Sequence, residues 1–185
     1  NKEKNPFVIA IDGPAGSGKG TVAKKLANKL NYHYLDSGAI YRVIAYAVKK
    51  NNIKPTSVHK LIDLVMNSKI KFSNDMVWLN DEDVSTLIRT ELIGKLASEI
   101  AIYEELRASI MDFQREFCRL PGLVAEGRDM TSIVFPNANL KIYLNASVDE
   151  RAKRRYKQLI SKGNDVNLSG LVQEIKIRDS RDTDR

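Results

Sequence analysis

Apolar residues run unbroken from Phe7 to Ile11 and close on Asp12, the pattern of a short buried strand. The period then changes. Val22, Ala23, Leu26, Ala27 and Leu30 recur at helical spacing, so a helix follows. The same succession returns twice more. His33-Tyr34-Leu35 reads as a second strand, and Ile40, Val43, Ile44, Ala47 and Val48 as the stripe of a second helix. Leu123-Val124-Ala125 is a third strand and Leu140-Lys141-Ile142-Tyr143-Leu144 a fourth. Ser147-Val148-Asp149-Glu150 then forms a capping box, with Ser at the N-cap and Glu three residues on. The helix behind it has Val148, Ala152, Tyr156 and Leu159 as its apolar stripe. Arg151, Lys153, Arg154, Arg155 and Lys157 fall on its other faces and read as a solvated surface. A last helix is expected near 168–179. Strands alternating with helices predict an α/β fold, with a parallel sheet covered on both faces.

Residues 55–90 break this rhythm. Pro55 and Ser57 open a short helix through Leu61, Ile62, Leu64 and Val65. Ile70-Lys71-Phe72 and Met76-Val77-Trp78-Leu79 then flank Ser73-Asn74-Asp75, which predicts a β-hairpin with Trp78 in its small core. A hairpin is not a strand–helix unit, so this stretch reads as an inserted subdomain. Two helices are expected after it, over about 90–101 and 103–119. The second carries Leu106, Ile110, Phe113 and Phe117 on one face and ends at Pro121-Gly122. Ser98 and Arg107 read from pattern alone as surface residues.

Composition narrows the class. The 185 residues suffice for one domain with a full core, or one domain with a small insertion. Hydrophobic residues at 43% and charged residues at 29% fit a soluble globular chain, and no apolar run reaches the length of a membrane span. Asn1-Lys2-Glu3-Lys4-Asn5 has no signal-peptide pattern. The lone Cys118 sits in a helical pattern, is expected to be core or semi-buried, and excludes an internal disulfide; the cytoplasm is the expected compartment. The net charge of +7 suits nucleic acid or small phosphorylated substrates. The basic residues are scattered among Asp, Gly and Ser, which favours a phosphate-lined cleft.

The candidate chemistry begins at Gly13-Pro14-Ala15-Gly16-Ser17-Gly18-Lys19-Gly20-Thr21, between the first strand and the first helix. Strand, glycine-rich loop and helix is the context of a phosphate-binding P-loop. The glycines allow a tight turn that aims successive N–H groups into one concavity, and the helix end adds more. Lys19 can reach the outer phosphates of a nucleoside triphosphate, and a Ser or Thr hydroxyl can hold Mg²⁺. Gly20 follows Lys19 where Ser or Thr usually stands, so Thr21 is the metal candidate, directly or through water. The GKGT ending resembles nucleoside monophosphate kinases more than GTPases.

Two further polar clusters end strands: Asp36-Ser37-Gly38-Ala39-Ile40-Tyr41-Arg42 and Glu126-Gly127-Arg128-Asp129. Open α/β sheets bind ligands at the carboxyl ends of their strands, so the three clusters are expected at one edge. A triphosphate loop beside an arginine-rich pocket implies phosphoryl transfer between two bound molecules. The ending Arg178-Asp179-Ser180-Arg181-Asp182-Thr183-Asp184-Arg185 alternates in sign, which suits a solvated segment or a lid closing on phosphates.

Together, the DSGAIYR stretch, the EGRD stretch and the Arg178…Asp182…Arg185 ending resemble bacterial cytidylate kinases over nearly the whole chain. The resemblance implies a three-layer P-loop kinase fold with a central parallel sheet. The core and lid would occupy 1–54 and 90–185, and an antiparallel CMP-binding subdomain 55–89. It implies MgATP as donor and CMP or dCMP as acceptor, in a monomer without nucleic-acid or membrane partners. By the same resemblance, Ser37, Arg107 and Asp129 recognise cytosine, and Ser98, Arg178 and Asp182 contact the sugar. Arg42, Arg128 and Arg185 clamp the acceptor phosphate; Arg154 and Arg181 approach ATP from the lid; Lys19, Arg128 and Arg181 form the catalytic set. Glu126 departs from the family, where Asp is common, and the family's chains continue into another strand and helix on the adenine side. Two rivals remain at this stage: a kinase for another nucleoside monophosphate such as UMP, and a nucleic-acid-binding P-loop ATPase.

Overall fold

The computed structural model describes residues 5–73, 76–161 and 163–183. Contacts divide the chain into two compact units, Asn1–Leu35 with Arg115–Asp184, and Asp36–Gln114.

The first unit is built on a four-stranded sheet in the order β2-β6-β1-β7. Its strands are β1 (Phe7–Asp12), β2 (His33–Asp36), β6 (Gly122–Gly127) and β7 (Leu140–Tyr143). β6 and β7 both run parallel to β1, with Asp12 opposite Gly127 on one side and Tyr143 on the other. The two inner strands are the continuous apolar runs of the sequence. β6 is buried along its whole length, and β1 from Val8 onward. β7 lies at the edge, and its Tyr143 is 69% exposed rather than covered.

α1 (Lys19–Leu30) lays Ala23 and Ala27 against Ile9, Ile11 and Val124, with Leu26, Tyr34 and Ile142 around them. Each large aliphatic side chain so buried contributes about 1.5–3 kcal/mol. α6 (Val148–Ile160) starts as expected, with Ser147 Oγ accepting from the Glu150 N–H at 3.2 Å. α7 (Leu168–Thr183) packs on α6. It runs past the expected end near 179, so Arg178, Arg181 and Asp182 stand on a helix and not in a trailing segment. A π-helical turn, Met130–Val134, follows the Arg128-Asp129 pair and had no counterpart in the sequence pattern.

In the second unit, α2 (Ser37–Lys50) packs against α3 (Val58–Met66), α4 (Glu91–Ile100) and the 3₁₀ turn Leu87–Arg89. Asp36 caps α2 by accepting from the Ala39 N–H at 2.9 Å. The expected hairpin forms from β3 (Ile70–Ser73) and β4 (Met76–Leu79), and β5 (Glu82–Asp83) completes an antiparallel sheet. The turn residues Asn74 and Asp75 lie outside the described residues. Trp78 does not form the small core: Val77, Leu79 and Val84 are buried, and Trp78, on the opposite face of β4, is half-buried.

α5 (Glu104–Arg115) stops four residues before its expected end. The chain turns there, with the Cys118 N–H bonded to the Arg115 carbonyl, and the segment beyond is tied to His33 through the Leu120 carbonyl. Cys118 is therefore semi-buried but outside the helix, and burial raises its thiol pKa. A parallel α/β sheet with a separate antiparallel one is the architecture expected from the sequence. Among the described residues, no helix is long and apolar enough to cross a membrane.

Candidate active site

The phosphate loop joins the end of β1 to α1. Gly18 is the N-cap of α1 at φ 93°, a conformation that disfavours a side chain, so the first N–H groups of the helix open into the loop. Ser17 is buried, and among the described residues its Oγ has no hydrogen-bond partner. An orphaned buried hydroxyl costs free energy until a ligand satisfies it, which fits a loop shaped for phosphate oxygens.

Lys19 is buried with Glu126 from the end of β6, Nζ to Oε2 at 3.7 Å, their side chains 10% and 8% exposed. Lys19 Nζ also reaches the Pro14 carbonyl at 3.4 Å. The Tyr34 hydroxyl donates to Glu126 Oε1 at 3.1 Å. These contacts explain why Gly20 replaces the usual Ser or Thr. A Cβ at residue 20 would sit 2.9 Å from Glu126 Oε1. The Glu126 carboxylate fills the slot that a hydroxyl side chain would need. Thr21, the remaining hydroxyl, lies exposed in the first turn of α1. Mg²⁺ is held mainly by phosphate oxygens and water in such sites, so one exposed hydroxyl at the loop fits it without an acidic cage.

The carboxyl end of β1 also supports the neighbouring cluster. Asp12 is buried, and its carboxylate accepts from the Met130 N–H at 2.9 Å, the Thr131 N–H at 2.9 Å and Thr131 Oγ1 at 2.6 Å. Arg115 closes the other end of that turn through the Val134 and Ile133 carbonyls, at 3.0 and 3.2 Å. The π-helical turn is thus pinned at both ends, directly behind Arg128 and Asp129. Sequence reasoning used Asp12 only to end a strand; an acid closing a fully apolar strand was the available signal.

Of the residues assigned from the resemblance, several meet within the first unit. Arg128 Nε donates to Asp182 Oδ2 at 2.6 Å, joining the phosphate-clamp candidate to a sugar-contact candidate. Asp129 begins the π-helical turn, and Arg178 and Arg181 are half-buried on α7. Arg154 lies over the loop, its Nη1 3.4 Å from the Ser17 carbonyl, and its Nε pairs with Glu150 at 3.3 Å. Arg185 lies outside the described residues. Arg151 overturns the solvated-face expectation, being only 3% exposed. A helical spacing places a residue on a face but does not say what docks there.

Ser37, Arg42, Ser98 and Arg107 belong to the second unit. Ser37 Oγ accepts from Gln114 Nε2 at 2.9 Å, both side chains being buried. Gln114 was not anticipated; a polar residue interrupting the apolar stripe of α5 was its signal. Arg42 donates through Nη1 to the Ile88 and Thr90 carbonyls at 2.8 and 3.2 Å. Gly94 leaves room for it, since a Cβ there would be 2.6 Å from Arg42 Nη2. Arg107 is held by the Ala101 and Ile102 carbonyls at 3.0 and 2.8 Å. Ser98 is buried, contrary to the surface reading, and among the described residues its Oγ has no hydrogen-bond partner. Among the described residues, the two buried serine hydroxyls left unsatisfied, Ser17 and Ser98, were thus assigned to the donor and the acceptor respectively.

The family model described as cytidylate kinase matches residues 9–185. The cytidylate kinase of Nitrosomonas europaea is 45% identical over 183 residues, covering 99% of this chain and 82% of the relative. That of Polynucleobacter asymbioticus is 51% identical over 178 residues, covering 96% and 81%. That of Aeromonas salmonicida is 50% identical over 182 residues, covering 96% and 79%. A phosphate loop with a buried lysine, a Gly-Arg-Asp stretch followed by a pinned π-helical turn and a match over nearly the whole length agree: the chain belongs to the cytidylate kinase family.

Proposed function

We propose that the chain transfers the γ-phosphoryl group of MgATP to the 5′-phosphate of CMP or dCMP, releasing ADP and CDP or dCDP. An oxygen of the acceptor phosphate attacks the γ-phosphorus, and the bond to the ADP oxygen breaks. No covalent enzyme intermediate is needed, so catalysis is positioning and charge neutralisation. The observation that carries this reading is the loop itself, with Lys19 buried at its end and Ser17 Oγ unsatisfied within it.

In this reading residues 13–21 cradle the donor phosphates, and Lys19 neutralises charge on the transferred group. Mg²⁺, with Thr21 as its protein hydroxyl, would screen the phosphates as a Lewis acid. Arg154 and Arg181 approach ATP. Arg42 and Arg128, with Arg185, bind the acceptor phosphate. Ser37, Arg107 and Asp129 read cytosine, whose ring edge offers both an acceptor and a donor. Ser98, Arg178 and Asp182 hold the sugar, and 55–89 serves as the acceptor-side insertion. Arg128 reaches the phosphate by exchanging Asp182, which lies 2.6 Å away, for the ligand.

The test is ADP release with MgATP across CMP, dCMP, UMP and AMP. Rapid release with the two cytidine nucleotides and little with the others supports the assignment. Equal turnover with UMP points to the broader pyrimidine kinase. ADP release without any acceptor, together with salt-sensitive DNA or RNA binding, points to the ATPase reading.

A further inference from the structure

Arg151 is a buried charged side chain that the proposed reaction leaves unused, at 3% exposure. A guanidinium can be buried without a large penalty only if its donors are matched. Here they are. Nε donates to the Ala146 carbonyl at 2.9 Å. Nη1 donates to the Ala15 carbonyl at 3.2 Å and to Asp179 Oδ1 at 2.9 Å. Nη2 donates to Asp179 Oδ2 at 2.5 Å. The Arg151–Asp179 pair is a two-point fork, the geometry in which arginine and carboxylate bind most specifically.

The three partners lie on three different segments. Ala15 is in the phosphate loop, Ala146 in the link between β7 and α6, and Asp179 on α7. The loop also rests on the arginine's stem, since a Cβ at Gly16 would lie 3.5 Å from Arg151 Cβ. Asp179 is flanked on α7 by Arg178, Arg181 and Asp182. One buried side chain therefore holds both the loop's backbone and the helix carrying those three residues.

We propose that Arg151 is a positioning residue that, through Asp179, ties the placement of α7 to the phosphate loop, so that Arg178, Arg181 and Asp182 are presented in register with a triphosphate bound there. The proposal rests on the assignment of α7 to the nucleotides made above. Lysine cannot replace the arginine, because a single ammonium point cannot hold the Ala15 carbonyl, the Ala146 carbonyl and both carboxylate oxygens at once.

The test is steady-state kinetics on the full chain with Arg151→Lys, Asp179→Asn and the double variant. Asp179→Asn breaks the two-point fork, since an amide nitrogen cannot accept from Arg151, and leaves the loop contact and the packing of α7 on α6 in place. It should raise KM for CMP about tenfold, the value of one charge-assisted hydrogen bond, and KM for ATP by less, because α7 gives ATP Arg181 alone while residues 13–21 still hold the donor phosphates. Arg151→Lys loosens both segments and should raise both KM values. The double variant should be no worse than Arg151→Lys. A purely structural role would lower Tm and leave both KM values of the folded protein unchanged; that result, or equal effects of Asp179→Asn on the two substrates, overturns the proposal. If Arg151→Lys does not fold, Asp179→Asn alone decides.

Should the wild-type chain fail to use CMP, the function reading fails and the tether is read differently. Hydrogen exchange over residues 171–183 is then compared with and without Mg²⁺ and a non-hydrolysable ATP analogue, in an Arg181→Ala background that removes the direct ATP contact. Slower exchange on adding the analogue, lost in Asp179→Asn, supports the tether. Unchanged protection in Asp179→Asn overturns it.

Discussion

In the proposed reading, the phosphate loop and the acceptor-side residues of the second unit recognise their ligands in opposite ways. The loop is one contiguous stretch, 13–21, and its donors are main-chain N–H groups with a single cation, Lys19. The acceptor-side residues Ser37, Arg42, Ser98 and Arg107 are spread over three helices, and their donors are side chains. In the loop the backbone conformation is the site. On the acceptor side each arginine is aimed by main-chain carbonyls: Ile88 and Thr90 for Arg42, Ala101 and Ile102 for Arg107. A backbone site is rigid and indifferent to the base. A set of side chains can discriminate, because each must be held in place separately.

If that contrast is right, the two sides should fail separately. Lys19→Met is expected to have the largest effect, lowering kcat about 10²–10³-fold, because a thioether supplies no charge where the transferred group develops it. The fold should survive, since Glu126 keeps the Tyr34 hydroxyl; circular dichroism and CMP titration check both points. Near-wild-type turnover in a folded variant would remove the loop from the mechanism.

Arg42→Ala attacks the other side. Losing a charge-assisted contact to phosphate should cost about 1.5–3 kcal/mol of CMP binding, with ATP binding nearly untouched. Titration of both nucleotides decides it, and equal losses would mean that the sides are wrongly drawn. A finer probe moves Arg42 without deleting it. Gly94→Ala places a Cβ 2.6 Å from Arg42 Nη2, forcing the guanidinium to shift. CMP affinity should fall about threefold to tenfold. Unfolding stability should change little, because the better helix propensity of alanine offsets what Arg42 loses at the Ile88 and Thr90 carbonyls. A weaker substrate site in a protein no less stable is a signature that general damage does not produce.

Much of this division was legible in the sequence, and the rest was hidden for a physical reason. The loop could be read because local chemistry determines it: apolar strand, glycines, Lys19, helix. The hairpin could be read because alternation about Ser73-Asn74-Asp75 is also local. What could not be read were properties decided by a partner distant in sequence. Ser98 looked like a surface residue and is buried; Arg151 looked solvated and is enclosed by Ala15, Ala146 and Asp179. Gly20 looked like a departure from the loop pattern until Glu126, on another strand, was seen to occupy the space. The sequence resemblance named Arg128 and Asp182 separately, but not that they pair with one another.

That pairing makes Asp182→Ala a two-part experiment. Freeing Arg128 should tighten CMP and dCMP alike, while losing the sugar contact should weaken CMP alone. The ratio of kcat/KM for CMP over dCMP isolates the second effect and should fall roughly fivefold, the value of about one hydrogen bond. An unchanged ratio would leave Asp182 its pairing with Arg128 and no contact to the sugar.

The smallest effect is expected where charge meets solvent. Glu82 has its pKa lowered, first by the hydrogen bond from Lys50 and then by that from Tyr46. A carboxylate with a depressed folded pKa adds stability above its unfolded pKa, and that increment disappears as pH falls through the folded value. Glu82→Gln should therefore lower Tm slightly at neutral pH, with the difference vanishing in acid. Both groups are exposed, so the shift should be small and salt-sensitive. A difference that persists below the carboxylate range would show that packing, not charge, holds that contact.

The proposed activity moves a phosphoryl group from ATP onto a cytidine monophosphate. It is tested most directly by competition: γ-labelled ATP, Mg²⁺ and equal amounts of CMP, UMP and AMP in one reaction, with the labelled products separated early. The account predicts label in CDP at least about tenfold above UDP and ADP, the margin that one unmet buried hydrogen bond imposes on a wrong base. Label divided equally between CDP and UDP, or released as free phosphate, would contradict it.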